Sequence, residues 1–127
     1  MATVEVKFDE FENLINNNDF VILDFWAPWC GPCKSFGPIY EELSEKYPDI
    51  VFAKINTEDE QQLAANFNIR SIPTLMIFRE KIVLFSQPGA LAGSQLEEVI
   101  AQAQGLDMDQ VRKDIDEQMK KEEADQE

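Results

Sequence analysis

The two cysteines of this chain stand three residues apart in Trp29-Cys30-Gly31-Pro32-Cys33-Lys34, between an apolar run and a stretch of helical spacing. That placement gives each residue type a chemical task. The start of a helix carries unbonded N–H groups and a partial positive charge, which favour a thiolate at Cys30. A thiol whose pKa falls toward ambient pH becomes the effective attacker in thiol–disulfide exchange. Cys33 shares the helical face and is placed to resolve the mixed disulfide. Gly31 lets the backbone turn tightly, and Pro32 fits a first turn in which its missing N–H costs nothing. The chain has no histidine. Cys–His and Ser–His catalysis are therefore absent, and thiol exchange needs neither.

Other uses of two cysteines fare worse. A zinc site needs about four ligands, and two Cys without His nearly exclude one, so no metal is expected. An inert disulfide would close a loop too short to stabilise much. Two unreactive buried thiols suit scattered cysteines better than a pair at a strand-to-helix junction.

The elements that must hold this pair can be read on either side of it. Phe20–Trp26 is a nearly continuous apolar run, as in a strand covered on both faces. After it, residues 33–47 carry Phe36, Ile39, Tyr40 and Leu43 at helical spacing, with Pro38 as a kink. Thr3–Lys7 reads as an edge strand and Asp9–Asn16 as a short helix with Asp9 as N-cap. Val51–Ile55 is a strand and Gln61–Phe67 a helix. Thr74–Phe78 and Ile82–Phe85 lie too close together for anything but an antiparallel hairpin. Ser94–Gln104 is a helix capped by Ser94 with Glu97 in a capping box, and Gly105 stops it. The expected fold class is α/β, a central mixed sheet flanked by helices on both faces.

Composition bounds the rest. With 127 residues and 44% hydrophobic content, the chain can bury one core and carry a short appendage. A formal charge of −14 disfavours nucleic acid and anionic membrane surfaces as partners. Its main meaning is solubility and self-repulsion; a preference for basic partner proteins is the lesser one. No apolar run approaches the roughly 20 residues of a membrane span. Residues 1–12 lack a secretory layout, which points to the cytoplasm unless a leader has been removed.

Three stretches, Phe25-Trp26-Ala27-Pro28-Trp29-Cys30-Gly31-Pro32-Cys33-Lys34, Ile72-Pro73-Thr74 and Gly89-Ala90-Leu91, together resemble the signature of the thioredoxin family in order and spacing. The likeness spans about residues 5–104 and is strongest to bacterial-type members. It implies the thioredoxin fold, reduction of disulfide-containing proteins with no bound cofactor, and recharging by an NADPH-dependent flavin thioredoxin reductase. The Gly-Pro spacer is similar to that of the reducing members, whereas oxidants and isomerases usually place His there and glutaredoxins Pro-Tyr. A potential near thioredoxin's value of about −270 mV is implied with it.

Asp24 is a lone carboxylate in the apolar run, and if buried it should hold its proton more tightly than in water. The resemblance makes it the proton acceptor that helps Cys33 ionise, through water; the alternative is escape to solvent at the strand's end. Lys54, in the next strand, either approaches Asp24 and tunes it, as the matching Lys does in the family, or simply faces water. An Ile72–Pro73 bond would be trans on frequency alone, but the resemblance implies a cis proline facing the cysteines, with neighbouring backbone free to pair with an extended substrate. Trp29, Gly31, Pro32, Ile72, Gly89 and Ala90 are then the docking collar around Cys30, with core packing as the alternative for Trp29. Trp26 is expected in the core near Asp24. Two departures stand out: Glu80-Lys81 where the family's hairpin often has Gly, predicting a longer or bulged turn, and Pro88, which stiffens the loop before Gly89.

Residues 1–105 are thus the expected thioredoxin domain and 106–127 an acidic helical extension, with nine acids and four bases. In that extension Met108, Val111, Ile115 and Met119 form one narrow apolar stripe. A helix over about 107–120 is expected, frayed from Glu122 onward. The stripe either folds back on its own domain, self-associates or takes a partner. The competing functions are a non-catalytic interaction module acting through this helix, and a redox oxidant or isomerase.

Overall fold

The computed structural model describes residues 2–125. Five strands, β1 (Thr3–Glu5), β2 (Phe20–Trp26), β3 (Val51–Asn56), β4 (Thr74–Arg79) and β5 (Ile82–Pro88), lie in the order β1-β3-β2-β4-β5. β1, β3 and β2 run parallel, while β4 and β5 are antiparallel additions. The helices are α1 (Phe8–Asn17), α2 (Gly31–Lys46), α3 (Gln61–Asn66), α4 (Gly93–Gln104) and α5 (Met108–Asp125). This is the mixed sheet with helices on both faces that the strand–helix alternation predicts.

β2 occupies the centre because both its faces are apolar. Its alternate residues Val21, Leu23 and Phe25 face a core with Ile15 of α1 and Leu63 of α3. Ile22 faces the opposite core, with Phe36 and Tyr40 of α2 and Leu96 and Ile100 of α4. Strand alternation puts Asp24 and Trp26 on the Ile22 side, the side of the helix that follows the cysteines. In register, Asp24 pairs with Lys54 of β3, and Lys54 pairs in turn with Glu5 of β1. Three charged residues therefore form one row across the sheet.

Several boundaries differ from the expectations. α1 starts at Phe8 with Lys7 as N-cap, so Asp9 lies inside the first turn, where its charge favours the helix N-terminus without capping it. α2 starts at Gly31 rather than Cys33, since Cys30 itself is the N-cap. α4 starts at Gly93 with Ala92 as N-cap. Ser94 is thus helical, and Gln95 takes the reciprocal role, its Oε1 accepting from Ala92 N–H at 2.9 Å.

The chain after α4 is locked by arginines. Arg79 Nη1 donates to the carbonyls of Ala103 (2.9 Å) and Leu106 (2.8 Å), covering the C-terminal end of α4. Asp107 Oδ1 accepts from the N–H groups of Asp109 and Gln110 and so caps α5. Arg112 reaches Glu80 at 2.8 Å, and Met108 is buried. The stripe therefore folds back at its start, where Met108 is buried and Val111 half-buried, while Ile115 and Met119 stay exposed, Met119 at 55%. The expected fraying from Glu122 is overturned, because the helix runs on to Asp125 through good helix formers; Gln126 and Glu127 lie outside the described residues.

The hairpin is bulged within its strands, between Ile77 and Phe78, and its turn is not longer. Glu80 and Lys81 alone connect β4 to β5, with φ of 52° and 70°, the two left-handed residues of a type I′ turn. An L side chain in that region costs about 1–2 kcal/mol. Lys81→Gly is expected to raise stability by about 0.5–1 kcal/mol, read as a higher denaturant midpoint at unchanged slope. A loss of stability would contradict this account of the turn.

Candidate active site

β2 ends at Trp26, and three residues carry the chain to Cys30 at the mouth of α2. Cys30 has extended geometry, φ −86° and ψ 114°, as an N-cap requires. Its Sγ, not an oxygen, is the capping acceptor: the Cys33 N–H points at it across 3.2 Å. The first turn of α2 contains no acidic residue, so nothing there offsets the helix's positive end. Cys30 and Cys33 form a disulfide with Cα atoms 5.2 Å apart. They are 4% and 5% exposed and pack with Ala27, Trp26 and Ile72.

Pro32 sits in the first turn as expected. Gly31 differs from its expected role. Its φ is not left-handed, and a Cβ there would meet nothing within 4 Å. What Gly31 contributes is bare surface beside Cys30. Left-handed geometry appears instead at Gly89, with φ 101°.

Across from the cysteines, the Ile72–Pro73 bond is cis, as the resemblance implies. Ile72 O lies 3.7 Å from Cys30 Sγ, and Pro73 O accepts from Gly89 N–H at 2.8 Å. The 72–73 and 89–90 loops are therefore tied together on one side of Cys30, with Gly89 and Ala90 exposed. Trp29 stands beside the 72–73 loop, sharing a hollow with Ser71 and Ile72, and its 66% exposure decides against a core role. Its Nε1–H donates to Glu58 Oε1. Glu58, just past β3, holds an aromatic that would otherwise swing freely; with no periodicity to mark it, its loop position hid it from sequence reading.

Behind the pair lies Asp24, only 1% exposed. Burial pushes its carboxyl from 3.8 up to about 7, Lys54 pulls it back and Glu5 adds to the rise. Asp24 Oδ1 has no hydrogen-bond partner, so escape to solvent at the strand's end does not occur. The Glu5 carboxyl is also raised, first by burial. Lys54 settles between its two expected positions. Its Nζ stands 4.6 Å over the Trp26 ring, a cation–π contact, and its charge still reaches Asp24. A crevice of about 200 Å³ opens between α2 and β3, with Cys33, Trp26 and Lys54 in its walls. The buried Trp26 indole N–H makes no hydrogen bond of full geometry, but it lies near enough to the Glu5 carboxyl to lower it against the rise from burial. Among the described residues, no group of three His, Cys, Asp or Glu comes close enough to hold a metal.

This geometry is shared with known proteins. The Thioredoxin family model matches residues 2–102. The provisionally named thioredoxin 2 of Streptomyces coelicolor is 54% identical over 117 residues, covering 92% of this chain and 87% of that protein. At most ten residues of this chain then lie outside the shared stretch, so this likeness runs into α5, beyond the family match. Thioredoxin of Haemophilus influenzae is 43% identical over 95 residues, 73% of this chain and 89% of that one. Among solved structures, Plasmodium falciparum thioredoxin superposes with a TM-score of 0.73 at 34% identity, over 79% of this chain and 97% of its own. A point-mutant thioredoxin of Halobacterium salinarum does so with 0.76 at 31% identity, over 83% and 93%.

The raised carboxyl of Asp24 has a stability signature. The folded chain holds this proton more tightly than the unfolded chain, so stability from this group is full below pH 4 and falls as pH rises toward 7. From the shift to about 7, the loss is about 4 kcal/mol. Asp24→Asn is expected to remove that slope and to be the more stable chain at pH 8, measured by denaturant unfolding across pH 4–8. Parallel curves for the two chains would contradict a buried, protonated Asp24.

Proposed function

This chain belongs to the thioredoxin family and is a dithiol–disulfide oxidoreductase acting through Cys30 and Cys33, and on that footing we propose how its residues divide the work. The observation that carries the reading is the Cys33 N–H aimed at Cys30 Sγ from 3.2 Å at the open end of α2. In the reduced chain the same amide and helix end stabilise a Cys30 thiolate.

The thiolate attacks one sulfur of a protein disulfide, forming a Cys30–substrate bond and expelling the other substrate sulfur, which takes up a proton. Asp24 accepts the Cys33 proton through the crevice behind the pair, with Lys54 tuning its charge. The Cys33 thiolate then attacks Cys30 Sγ and releases the second substrate thiol. The substrate gains two electrons and the chain is left with the Cys30–Cys33 disulfide. An extended segment of the disulfide-containing protein docks on the collar of Trp29, Gly31, Pro32, Ile72, Gly89 and Ala90, pairing with backbone beside Pro73 in the manner of an added strand. An NADPH-dependent flavin thioredoxin reductase returns the electrons. The cytoplasm is the proposed location, since such a reductant needs a pool that keeps its dithiol reduced. No helix among the described residues is long and apolar enough to cross a membrane.

We assign this chemistry to residues 1–105 and treat 106–127 as an appended helix. The uncovered Ile115 and Met119 favour a second role for that helix, as an interaction module for a partner or for self-association through 107–120.

Cys30→Ser is expected to reduce turnover of a test disulfide protein to the uncatalysed background. Cys33→Ser should retain first attack and accumulate a mixed disulfide at Cys30, seen by mass under non-reducing conditions. Equal loss of first attack in both variants would overturn this division. Residues 1–105 should match the full chain in an NADPH-coupled reductase assay; a large fall on truncation would move the extension into the catalytic unit.

A further inference from the structure

The cysteine chemistry above leaves unused the largest fully buried side chain, Tyr40. It lies on α2 seven residues past Cys33, two helical turns on and therefore on the same face. Its hydroxyl oxygen is 2.9 Å from Ile22 O on β2 and 2.8 Å from Ala53 O on β3. One proton is shared between two carbonyl acceptors, one on the strand that carries Asp24 and one next to Lys54. A buried phenol needs one partner; this one bridges the two strands whose charged residues stand behind the cysteines. Pro38 lies between Cys33 and Tyr40 and removes a helix hydrogen bond there. Beyond Pro38, Leu43 and Tyr47 pack on the same core, and the Tyr40 hydroxyl adds a hydrogen-bonded tie from the far half of the cysteine helix to both strands.

We infer that Tyr40 is a positioning residue for the resolving step, its hydroxyl holding β2, β3 and α2 together and neutralising two carbonyl oxygens close to Asp24. The inference rests on Asp24 serving as the acceptor of the Cys33 proton. The charged groups that act on Asp24 are Lys54 on β3 and Glu5 on β1; from α2 Tyr40 feels its charge, with Cys33 on the same helical face, and its β4 neighbour in register is Leu75. The Asp24 charge reaches Tyr40: burial raises the phenol well above its usual range, and that charge raises it further. Without the hydroxyl proton, two carbonyl oxygens would add negative potential beside an already buried acid. The acid would then hold its proton harder and serve Cys33 less well at neutral pH.

The test uses the full chain with Tyr40→Phe, which keeps the ring and deletes the hydroxyl. The release of thiol from a preformed Cys30 mixed disulfide is followed against pH, with the Asp24 carboxyl carbon titrated by NMR. The Asp24 midpoint is expected to rise by about half a unit, with release at pH 7 about twofold slower, since the ionised fraction there falls from about a half to about a quarter. In an Asp24→Asn background the same change should leave the pH profile of release unmoved. A lower melting temperature with an unmoved Asp24 midpoint would make Tyr40 a packing residue and overturn the inference. A shift that persists in Asp24→Asn would also overturn it, by removing Asp24 as the intermediary. If Asp24→Asn alone keeps the parent's pH profile, the acceptor reading itself fails, and this one with it. Should Tyr40→Phe not fold, the Tyr40 ring-carbon shift in the unsubstituted reduced chain decides: a step at the Asp24 midpoint is expected, and a flat curve overturns the inference.

Discussion

The fold converges on one contact, the Cys33 amide turned toward Cys30 Sγ at a helix end that no carboxylate shares. A helix N-terminus offers its unbonded N–H groups to any anion. Here the group presented to it is a thiol sulfur. β2 makes this possible by being apolar on both faces, so it sits at the centre of the sheet and delivers the chain to a fixed point above it. The helix must then begin at once, and Pro32 in its first turn permits that without wasting a hydrogen bond. The cis Ile72–Pro73 loop and Gly89, joined by one backbone hydrogen bond, bring the remaining wall to within contact of the same sulfur.

A second layer of the design is electrostatic. Asp24 is kept in a place where its charge is costly, and the lysine nearest in register lies over Trp26 instead of pairing with it. The result is a carboxyl that titrates near neutrality, where a proton acceptor is most useful. Glu5, one strand further, shares the field of Lys54 and works against Asp24. Three strands and one indole thus set the ionisation of a group behind the cysteines, at the cost of stability above neutral pH.

Sequence reading recovered what burial dictates. The Phe20–Trp26 run gave a central strand with the observed ends, and the spacing of Phe36, Tyr40 and Leu43 gave the inward face of α2. The cysteine pair, Asp24 and the Pro73 loop were legible through residue type, spacing and family likeness together. The misses have local causes. Helix starts shifted because Asp9 and Ser94 are good caps, yet the chain uses Lys7 and Ala92, the latter answered by Gln95. Gly31 suggested a tight turn that needs glycine, where the backbone is ordinary. Glu58 and Tyr40 were hidden for opposite reasons: one is a loop carboxylate with no pattern around it, and the other looks like any core aromatic until its hydroxyl is traced to two carbonyls. The fate of the apolar stripe in α5 depended on Arg79 and Arg112 finding partners far away in sequence, which periodicity cannot show.

The measurement nearest the central contact is the pH dependence of alkylation of the fully reduced chain, with modification at Cys30 and Cys33 separated by peptide mass. The helix-end account requires Cys30 to react with an inflection well below the value of about 8.5 for a free cysteine, and well before Cys33. A Cys30 that stays protonated to a pH of about 8.5 or above, or two cysteines that react indistinguishably, would contradict it.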